Sequence, residues 1–582
     1  MIDSSVPNCV FQMKTIDTNA FVDAINRGPK TTTTTNGADS YTTTGVEDDR
    51  VALMFKLVRD LDPQTMVTLM DRIVEHDNLH FLVDLFVMTF QTRDVRGGKG
   101  ERDLFYNMYM WLAIRFPQES LKLLPLITHY GSFLDLRELW SRAGILIGSG
   151  LASRATSHLT QLRQEIVVYF GNQLSVDCAT PDGQSISLAG KWAPREKNSH
   201  RDMALALAKQ LFPGNRQAKK KYRELCSNLN KRLKTIEVMM CNGTWSDIDP
   251  SAVPARNLKI RRLAFLNKQC RDPATVRSTL DDRVKCAEQF EEYLARCRSD
   301  PASARVHGRV LHPHELVQTY LDHRHRSGMV EDPVIEAQFK NLCTGIEEMG
   351  AMAKMCVMLD TSGSMFSGAR VPPILPAMGL AAAITRTNHP AFRNFYIRFS
   401  EDAKMMRYAD QGAQEISLSE IVNYMLSDGH IGNTNFEAAM ELILKVCTEH
   451  KVPEEELPDY LLVLSDMQFD KSTDHGAGFE AHWQRIQRRF QEVGYTRAPK
   501  ILFWNLAAYT MDFPAPRDAE GVEMISGFSP TLLKYFLQGE DLSKAVQNPF
   551  DMMRKQLDDE RYDPVRANLA EHKEGVFQTY SF

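Results

Sequence analysis

Three side chains with oxygen donors alternate along one short stretch of the sequence, at Asp360, Ser362 and Ser364. One carboxylate and two hydroxyls are hard ligands of the kind that bind Mg²⁺ or a similar cation. Because three donors leave the shell of such an ion incomplete, the motif predicts that further oxygens come from elsewhere in the chain. The hydroxyl of Thr434 and the carboxylate of Asp466 are the candidates. Together, the five residues predict a site for Mg²⁺ or another divalent cation.

The elements around these residues predict that all of them lie at one edge of a sheet. Residues 352–359 form an apolar run that indicates a buried strand ending at Asp360, and the run 460–465 indicates a strand ending at Asp466. Thr434 comes directly before a predicted helix. Open α/β sheets bind their ligands at the carboxyl ends of the strands. The alternative is that these side chains only cap the helices that follow them.

Strands and helices alternate from about residue 350 onwards. Strands are predicted at 352–359, 393–399, 460–465 and 500–507, and helices at 373–386, 435–446 and 479–493. This alternation is typical of a doubly wound parallel sheet with right-handed crossovers and helices on both faces. Upstream, apolar residues recur every three or four positions, which indicates stacked helical hairpins of the HEAT type, although no strict repeat is present. The predicted fold class is therefore α + α/β.

Changes in composition divide the sequence into four parts. Residues 1–46 include the threonine run 31–35 and are predicted to be a disordered tail, because they hold too little apolar surface to form a core. Residues 47–349 are the helical region, residues 350–540 the α/β domain, and residues 541–582 a helical tail.

Basic residues concentrate in one segment of the helical region, 191–268. It holds 18 Lys and Arg residues against 6 Asp and Glu residues, while the whole chain has 69 and 74 and a net charge of −5. Such segregation indicates an anionic partner, and RNA is the natural candidate. The candidate RNA contacts are Lys191, Lys219, Lys220, Lys221, Arg223, Lys231, Arg232, Lys234, Arg256, Arg261 and Arg262. The alternative is that these side chains are solvated or pair with acidic residues elsewhere in the fold.

The basic segment also contains aromatic residues, such as Trp192, Tyr222 and Trp245. Exposed aromatic rings can stack on the bases of a single-stranded nucleic acid. The alternative interpretation is that these rings belong to the core of the helical region.

Two further motifs carry residues that are common in functional sites. The segment 96–102 has the glycines of a phosphate cradle, but no Ser or Thr follows its lysine as in a P-loop, so nucleotide hydrolysis is not predicted. A helix–helix turn that needs a positive φ is the alternative. His312 and His314 are too close in sequence to share a helix face as metal ligands, and Pro313 between them indicates the start of a helix.

Composition and charge exclude several classes of protein. A net charge of −5 is incompatible with a uniformly basic nucleic-acid binder. The ten cysteines form no C-x-x-C pair, which argues against a zinc site and for a reducing compartment. No apolar stretch approaches the roughly 18 residues that span a bilayer, and the first residues lack the pattern of a secretory signal. The predicted location is therefore the cytoplasm or the nucleus, with no membrane contact.

The cation-site residues resemble the metal-ion-dependent adhesion site of the von Willebrand factor A fold. The resemblance implies that Ser362, Ser364 and Thr434 bind the metal directly. It implies that Asp360 and Asp466 bind it directly or through water, and that one coordination position is left for a carboxylate from a protein partner. A hydrolase of the haloacid dehalogenase type is not supported, since its second acid would occupy the position of Ser362.

Four other segments, together with the tail around 548–562, resemble a largely uncharacterised family of eukaryotes and large viruses, over about residues 48–575. The segments are 93–102, 188–194, 311–317 and 522–529. Proteins of that family have a helical N-terminal region and a C-terminal von Willebrand A-like domain. This architecture is distantly similar to the Ro autoantigen (TROVE) family, whose members pair a HEAT-like helical ring with such a domain and bind small structured or misfolded RNAs.

These patterns and resemblances predict a non-enzymatic, Ro-like RNA-binding component of a ribonucleoprotein, with a Mg²⁺ site in its α/β domain. One alternative is a metal-dependent protein-interaction scaffold that binds no nucleic acid. A metal-dependent hydrolase or nuclease is the third interpretation, but no nucleophile paired with a general base is evident in the sequence.

Overall fold

A helical region comes first in the structure and is followed by a six-stranded mixed sheet with helices on both faces. This arrangement has the α + α/β class that the sequence predicts. The computed structural model describes residues 30–33, 39–42, 46–75, 79–197, 199–270, 272, 274–299, 306–327, 330–410, 416–427, 432, 434–469, 482–509, 514–515, 517–537 and 548–570.

The first described elements are two short strands, β1 (Lys30–Thr33) and β2 (Asp39–Thr42), which pair in an antiparallel hairpin. The predicted disorder therefore does not extend to these residues. Threonine is β-branched and suits an extended backbone, so part of the threonine run forms a strand when a partner strand lies beside it. The remaining residues before 46 lie outside the described part of the chain.

Helices that are neighbours in sequence pack against one another through the helical region, α2 on α1, α4 on α3, and α8 on α7. Phe90 of α3 and Phe105 of α4 are fully buried, with ring centroids 6.0 Å apart. In the described residues the helices of this region are α1 (Val46–Lys56), α2 (Pro63–Glu75), α3 (Leu79–Arg93), α4 (Arg102–Arg115), α5 (Pro117–Lys122), α6 (Leu124–Tyr130), α7 (Phe133–Gly148), α8 (Ser153–Ala179), α9 (Ala189–Trp192), α10 (Arg201–Leu211), α11 (Ala218–Arg232), α12 (Ile236–Asn242), α13 (Ala255–Phe265), α14 (Asp281–Ser299), α15 (Pro313–Ser327) and α16 (Pro333–Glu347).

The sheet has the strand order β5-β4-β3-β6-β7-β8, and every neighbouring pair is parallel except β4 and β5. Its strands are β3 (Met355–Asp360), β4 (Phe395–Phe399), β5 (Ala403–Arg407), β6 (Tyr460–Ser465), β7 (Lys500–Asn505) and β8 (Val522–Ser526). Its helices are α17 (Ile374–Thr387), α18 (Leu418–Ser427), α19 (Phe436–Glu449) and α20 (His482–Glu492).

Both faces of the sheet are buried, because side chains alternate along each strand. Met355 and Val357 of β3 join a core with α15 to α18, whereas Cys356 and Met358 join a core with α19 and α20. Strands buried on both sides read as continuous apolar runs, which is why β3, β6 and β7 are evident in the sequence. The doubly wound architecture agrees with the prediction.

The sheet is not entirely parallel, which corrects the prediction. β5 follows β4 after the short turn 400–402 and runs antiparallel to it, with Phe395 opposite Arg407. A connection this short cannot cross over to a parallel strand. The sequence prediction also missed the edge strand β8 and the helix α18.

The C-terminal end of α1 holds the helical region against the sheet. The Nζ of Lys99 is completely buried and donates to Met54 O (2.6 Å), Leu57 O (3.1 Å) and Ser526 Oγ (2.6 Å). The side chain of Asn505 at the end of β7 donates to Phe55 O at 3.1 Å. These donors satisfy carbonyls that a helix leaves free at its last turn.

The segment 96–102 is therefore a structural turn and not a phosphate cradle. Its lysine is buried against α1 and β8, so the side chain is not available to an anion. Gly100 has a φ of +73°, a conformation that favours glycine. The helix–helix turn that the sequence left as the alternative is confirmed.

His312 and His314 lie at the same junction, at the start of α15 as predicted. Arg59 donates to Nε2 of His314 at 3.2 Å and makes a two-pronged ion pair with Glu101 at 2.8 and 2.9 Å. Burial lowers the pKa of both histidines. Nε2 of His314 accepts from an arginine, which is always protonated, so the ring is neutral and serves packing.

Two helices follow the sheet, α21 (Pro549–Leu557) and α22 (Asp563–Ala570), and they return to α3. Arg554 of α21 pairs with Asp84 at 2.7 Å, and Arg561 pairs with Asp94 at 2.9 Å. The C-terminal helices thus bind the beginning of the helical region, and both ends of the described α-helical chain meet in one core.

Candidate functional site

The predicted cation-site residues lie where the winding of the sheet reverses. The chain runs outward from β3 to β4 and β5 and then returns to β6 on the other side of β3. Asp360 is the last residue of β3, and Asp466 follows the last residue of β6. A crevice opens at the carboxyl ends of strands whose connections leave in opposite directions, and α/β proteins bind ligands there.

Asp360 and Asp466 are both fully buried. The two oxygens of Asp360 accept from Ser362 N at 2.9 Å and from Ser465 Oγ at 2.6 Å. Burial and the negative charge of Asp466 raise the pKa of Asp360 to about 7. Two carboxylates therefore face each other in a region that disfavours negative charge.

The carboxylate of Asp466 accepts from Gln468 N at 3.2 Å and from the hydroxyl of Tyr509 at 2.7 Å. Tyr509 lies just beyond β7, and its hydroxyl is also 3.4 Å from Ser364 O. Neither Tyr509 nor Ser465 was among the predicted site residues. Ser465 had a local signal, since it directly precedes Asp466, whereas nothing in the sequence near Tyr509 points to the site.

The hydroxyls of the predicted site belong to two loops that touch. Ser362 Oγ and Ser364 Oγ are 3.2 Å apart, and Gly363 N donates to Gly432 O at 3.0 Å. Thr434 follows on that second loop, and its Oγ1 is buried without a hydrogen-bond partner among the residues that the structure describes. The structure thus brings all five predicted residues to one edge of the sheet.

Helix capping does not account for these side chains. The residue that caps α19 is Asn435, which accepts from Ala438 N at 3.0 Å, and not Thr434. Ser362 precedes the 3₁₀ turn Gly363–Phe366, and its side chain makes no capping hydrogen bond. The alternative that the sequence left open is wrong for Thr434 and for Ser362.

Two carboxylates and three hydroxyls make an oxygen-only donor set. Such a set suits Mg²⁺ or another hard divalent cation, and the two negative charges match the charge of the ion. No group of three or more His, Cys, Asp or Glu side chains that could hold a metal occurs in the described residues. A cation here would depend on the hydroxyls, and the unpartnered Thr434 Oγ1 is a donor of the right chemistry.

The basic segment divides into exposed and buried parts. On α11, Tyr222, Cys226 and Leu229 form the buried face. The other face exposes lysine and arginine side chains, and this series of basic residues continues to Lys234, just after the helix ends. On and just after α11, the predicted RNA contacts that are exposed are Lys219, Lys220, Lys221, Arg223, Lys231 and Lys234.

The other predicted RNA contacts make contacts within the fold. Arg262 is buried in a 2.5 Å ion pair with Asp332, and Arg232 donates to Asp177 O and Thr180 O at 2.8 Å each. Three more have nearby partners: Lys191 with Glu237, Arg256 with Glu315, and Arg261 with Met240. The alternative of internal pairing therefore holds for these five residues, and also for the exposed Arg223, which pairs with Glu196 at 3.0 Å.

The aromatic residues of the basic segment are packed inside the fold. Tyr222 is buried, and its hydroxyl donates to Pro194 O at 2.9 Å. Trp245 is half-buried under the guanidinium of Arg283, which lies 3.7 Å from the ring centroid. Trp192 packs against the core of the helical region. All three rings thus make contacts within the fold, as the alternative interpretation predicts.

Fold and site together define an α/β domain with a candidate cation site, joined to a helical region with a basic surface. Two families match the chain in sequence. Residues 153–352 match "Domain of unknown function (DUF2828)", and residues 354–575 match "Domain of unknown function (DUF7788)". The matches meet where the sequence pattern changes from helical to alternating.

A curated relative and a solved structure are similar to the chain. "Uncharacterized protein L728" of Acanthamoeba polyphaga mimivirus is 26% identical over 488 residues, which are 82% of this chain and 80% of the relative. The crystal structure of the Ro (RSR) protein of Deinococcus radiodurans superimposes with a TM-score of 0.41 and 14% identity, over 85% of this chain and 100% of that one. No helix in the described residues is long and apolar enough to cross a membrane.

Proposed function

We propose that the protein is a non-enzymatic binding protein whose α/β domain, of the von Willebrand A type, holds Mg²⁺ and presents it to an acidic group of a partner. Asp360, Ser362, Ser364, Thr434 and Asp466 would hold the ion. The observation that carries this proposal is the buried Oγ1 of Thr434, which lies at the same sheet edge as two buried carboxylates and has no hydrogen-bond partner in the described part of the chain.

An unpartnered buried hydroxyl costs roughly 1–3 kcal/mol, and two buried carboxylates repel each other. A divalent cation would remove both costs at once, because it binds the hydroxyl oxygen and neutralises the acidic pair. Unsatisfied polar groups and like charges that are buried together at one point of a well-packed fold are typical of a ligand site.

Replacing Thr434 with Val tests the proposal. Because the hydroxyl has no partner, the change should leave the melting temperature in a chelator unchanged or raise it. The apparent affinity for Mg²⁺, obtained from the stabilisation that the ion gives, should fall at least tenfold. Thermal unfolding across a Mg²⁺ titration measures both quantities.

Thr387→Val is the matched control, because its hydroxyl is buried and donates to Ala383 O at 2.9 Å. That variant should lose stability and keep the response to Mg²⁺. A Thr434→Val variant that loses stability but responds to Mg²⁺ like the wild type would remove the basis of the proposal.

Hydrolysis does not form part of the proposed function. The hydroxyls of Ser362 and Ser364 lie 3.2 Å apart, and the Ser362 side chain also bonds to Asp360, the carboxylate that would bind the ion. The donor set accounts for binding a cation and requires no reacting group.

A second function, RNA binding through the helical region, is favoured by the exposed face of α11. Lys220 and Lys231 lie on this face, and they are 11 positions or roughly 16 Å apart along the helix. Lys221 and Arg223 flank them. Clustered exposed cations in a chain of net charge −5 attract a polyanion by counterion release.

Reversing the charges of Lys220 and Lys231 to Glu should lower RNA affinity at least tenfold and reduce the salt slope of binding by about 2. A labelled structured RNA, titrated between about 50 and 200 mM salt, provides the measurement. The control reverses Lys445 and Lys451, which are exposed in the α/β domain, and makes the same change in net charge.

Equal losses in both double variants would mean that only net charge matters, and the α11 surface would not be an RNA site. No RNA binding by the wild type, with an intact response to Mg²⁺, would leave the protein-interaction scaffold as the function.

A further inference from the structure

Among the Phe, Tyr and Trp side chains whose burial the structure describes, only two are exposed, and both belong to segments that form the candidate cation site. Phe366 is 39% exposed and Tyr509 is 37% exposed. Phe366 ends the 3₁₀ turn that contains Ser364, and the hydroxyl of Tyr509 lies 3.4 Å from Ser364 O. Exposed aromatic rings of this kind are enriched where proteins bind partners.

The loop that carries Phe366 and the side chain of Tyr509 are both held by contacts within the fold. The Tyr509 ring packs on Gly368, where φ is +85° and a Cβ atom would lie 3.4 Å from the ring. The same loop is tied to the helical region, since Arg370 N donates to Asp60 Oδ2 at 3.2 Å. The hydroxyl of Tyr509 is fixed by Asp466 at 2.7 Å.

Charge around the site disfavours a nucleic acid as its ligand. The exposed Glu401 lies against Gly432 on the loop that leads to Thr434, whereas the neighbouring Asp402 is paired with Arg398 at 2.9 Å. The exposed lysine cluster is on α11, which packs on α8, α9 and α10 and not on the sheet. Consecutive phosphates would meet acidic side chains here, whereas a single carboxylate needs only the cation.

We propose that the site recognises a polypeptide segment in which an Asp or Glu stands next to an apolar side chain. The carboxylate binds the cation, and the apolar side chain packs against Phe366 and Tyr509. This inference rests on the proposed cation site and adds a selectivity for particular peptides. The two aromatic rings would bind peptides with an apolar residue beside the acidic one more tightly, whereas the cation alone would bind all acidic peptides alike.

An array of 12-residue peptides with one Asp each tests the inference on the full-length protein. The residues that flank the Asp are varied among Gly, Lys, Leu and Phe, and retention is measured with Mg²⁺ and with a chelator. We expect Mg²⁺-dependent retention that favours Leu or Phe over Gly by about tenfold, as burial of one apolar side chain predicts.

Phe366→Ala should remove most of this preference and keep both the thermal stabilisation by Mg²⁺ and the weak retention of Gly-flanked peptides. Met405→Ala is the matched control, because Met405 is 37% exposed on the edge strand β5 and should leave the preference unchanged. Thr434→Val should abolish retention of every peptide.

Retention that needs Mg²⁺ and Thr434 but ignores the flanking residues and Phe366 would overturn the inference and leave the proposed cation site intact. Absence of Mg²⁺-dependent retention of any acidic peptide would overturn both the inference and the acidic partner. Retention of a single-stranded RNA that is lost in both Phe366→Ala and Thr434→Val would assign the rings to base stacking instead.

Discussion

Replacing Asp360 with Asn is expected to stabilise the cation-free protein and, in the same molecule, to abolish its stabilisation by Mg²⁺. Burial and the charge of Asp466 raise the pKa of Asp360 to about 7, so the folded protein holds this carboxylate at a cost that the unfolded chain does not have. An amide of the same shape removes that cost. It also removes one of the two charges that attract a cation.

The gain in stability should depend on pH in a defined direction. The pKa of Asp360 lies above its ordinary value of 3.8, so the folded state binds more protons than the unfolded chain between about pH 4 and 7. Wild-type stability therefore falls as the pH rises through that window. The Asn variant should gain most above pH 7, by roughly 2–4 kcal/mol, and least near pH 4, as measured by thermal unfolding in a chelator.

The response to Mg²⁺ distinguishes a cation-binding site from two buried carboxylates that repel each other but bind no ion. The wild type should gain about 2.7 kcal/mol when the ion reaches 100 times its Kd, and Asp360→Asn should gain nothing. Asp182→Asn, at a side chain that is 93% exposed, should change neither quantity. A wild type that Mg²⁺ does not stabilise at any concentration would contradict the proposed site.

Replacing Lys99 with Met should lower the free energy of unfolding by about 3–5 kcal/mol, because several buried acceptors lose their donor together. Lys99 Nζ bonds to Met54 O, Leu57 O and Ser526 Oγ. These atoms belong to α1 and β8, so the change breaks the contact between the helical region and the sheet. Chemical denaturation at neutral pH measures the loss, and Lys220→Met at the exposed face of α11 is the control.

The pH dependence of the same pair of proteins gives a second check. Burial lowers the pKa of Lys99 to about 7, so the unfolded chain binds a proton that the folded chain lacks between about pH 7 and 10. Stability should therefore rise with pH through that window in the wild type, and this rise should be smaller in Lys99→Met. A Lys99→Met protein as stable as the wild type would show that the lysine does not hold the junction.

The convergence of distant segments explains why several motifs looked functional in the sequence. Segments 96–102, 311–317 and 522–529 meet at the junction of the helical region and the sheet, through Lys99 with Ser526 and through His312 beside Gly100. Their glycines, histidines and lysine are there for close packing and hydrogen bonding. Residue types that are typical of active sites also suit a polar interface with demanding geometry.

Short-range patterns in the sequence were sufficient to predict that the five residues of the candidate cation site lie at one edge of the sheet. Asp360, Ser362 and Ser364 lie within five positions, and the apolar runs before Asp360 and Asp466 mark strands that are buried on both faces. Since parallel strands end at the same edge of a sheet, these local apolar runs were enough to predict that Asp360 and Asp466, which are distant in sequence, lie near each other. Short connections and edge strands lack such a signal, and β5 and β8 were missed for that reason.

The sequence by itself determined the fold class, the positions of the main strands along the chain and the residues of the candidate cation site, because each depends on local periodicity or close spacing. Only the tertiary structure decided which charges are free. Lys99 is bound by a residue 427 positions away, Arg262 is buried against Asp332, and Tyr509 reaches Asp466 from another strand. Burial and partners at such separations leave no pattern in a single chain, since the energy of a charge depends on what folding places beside it.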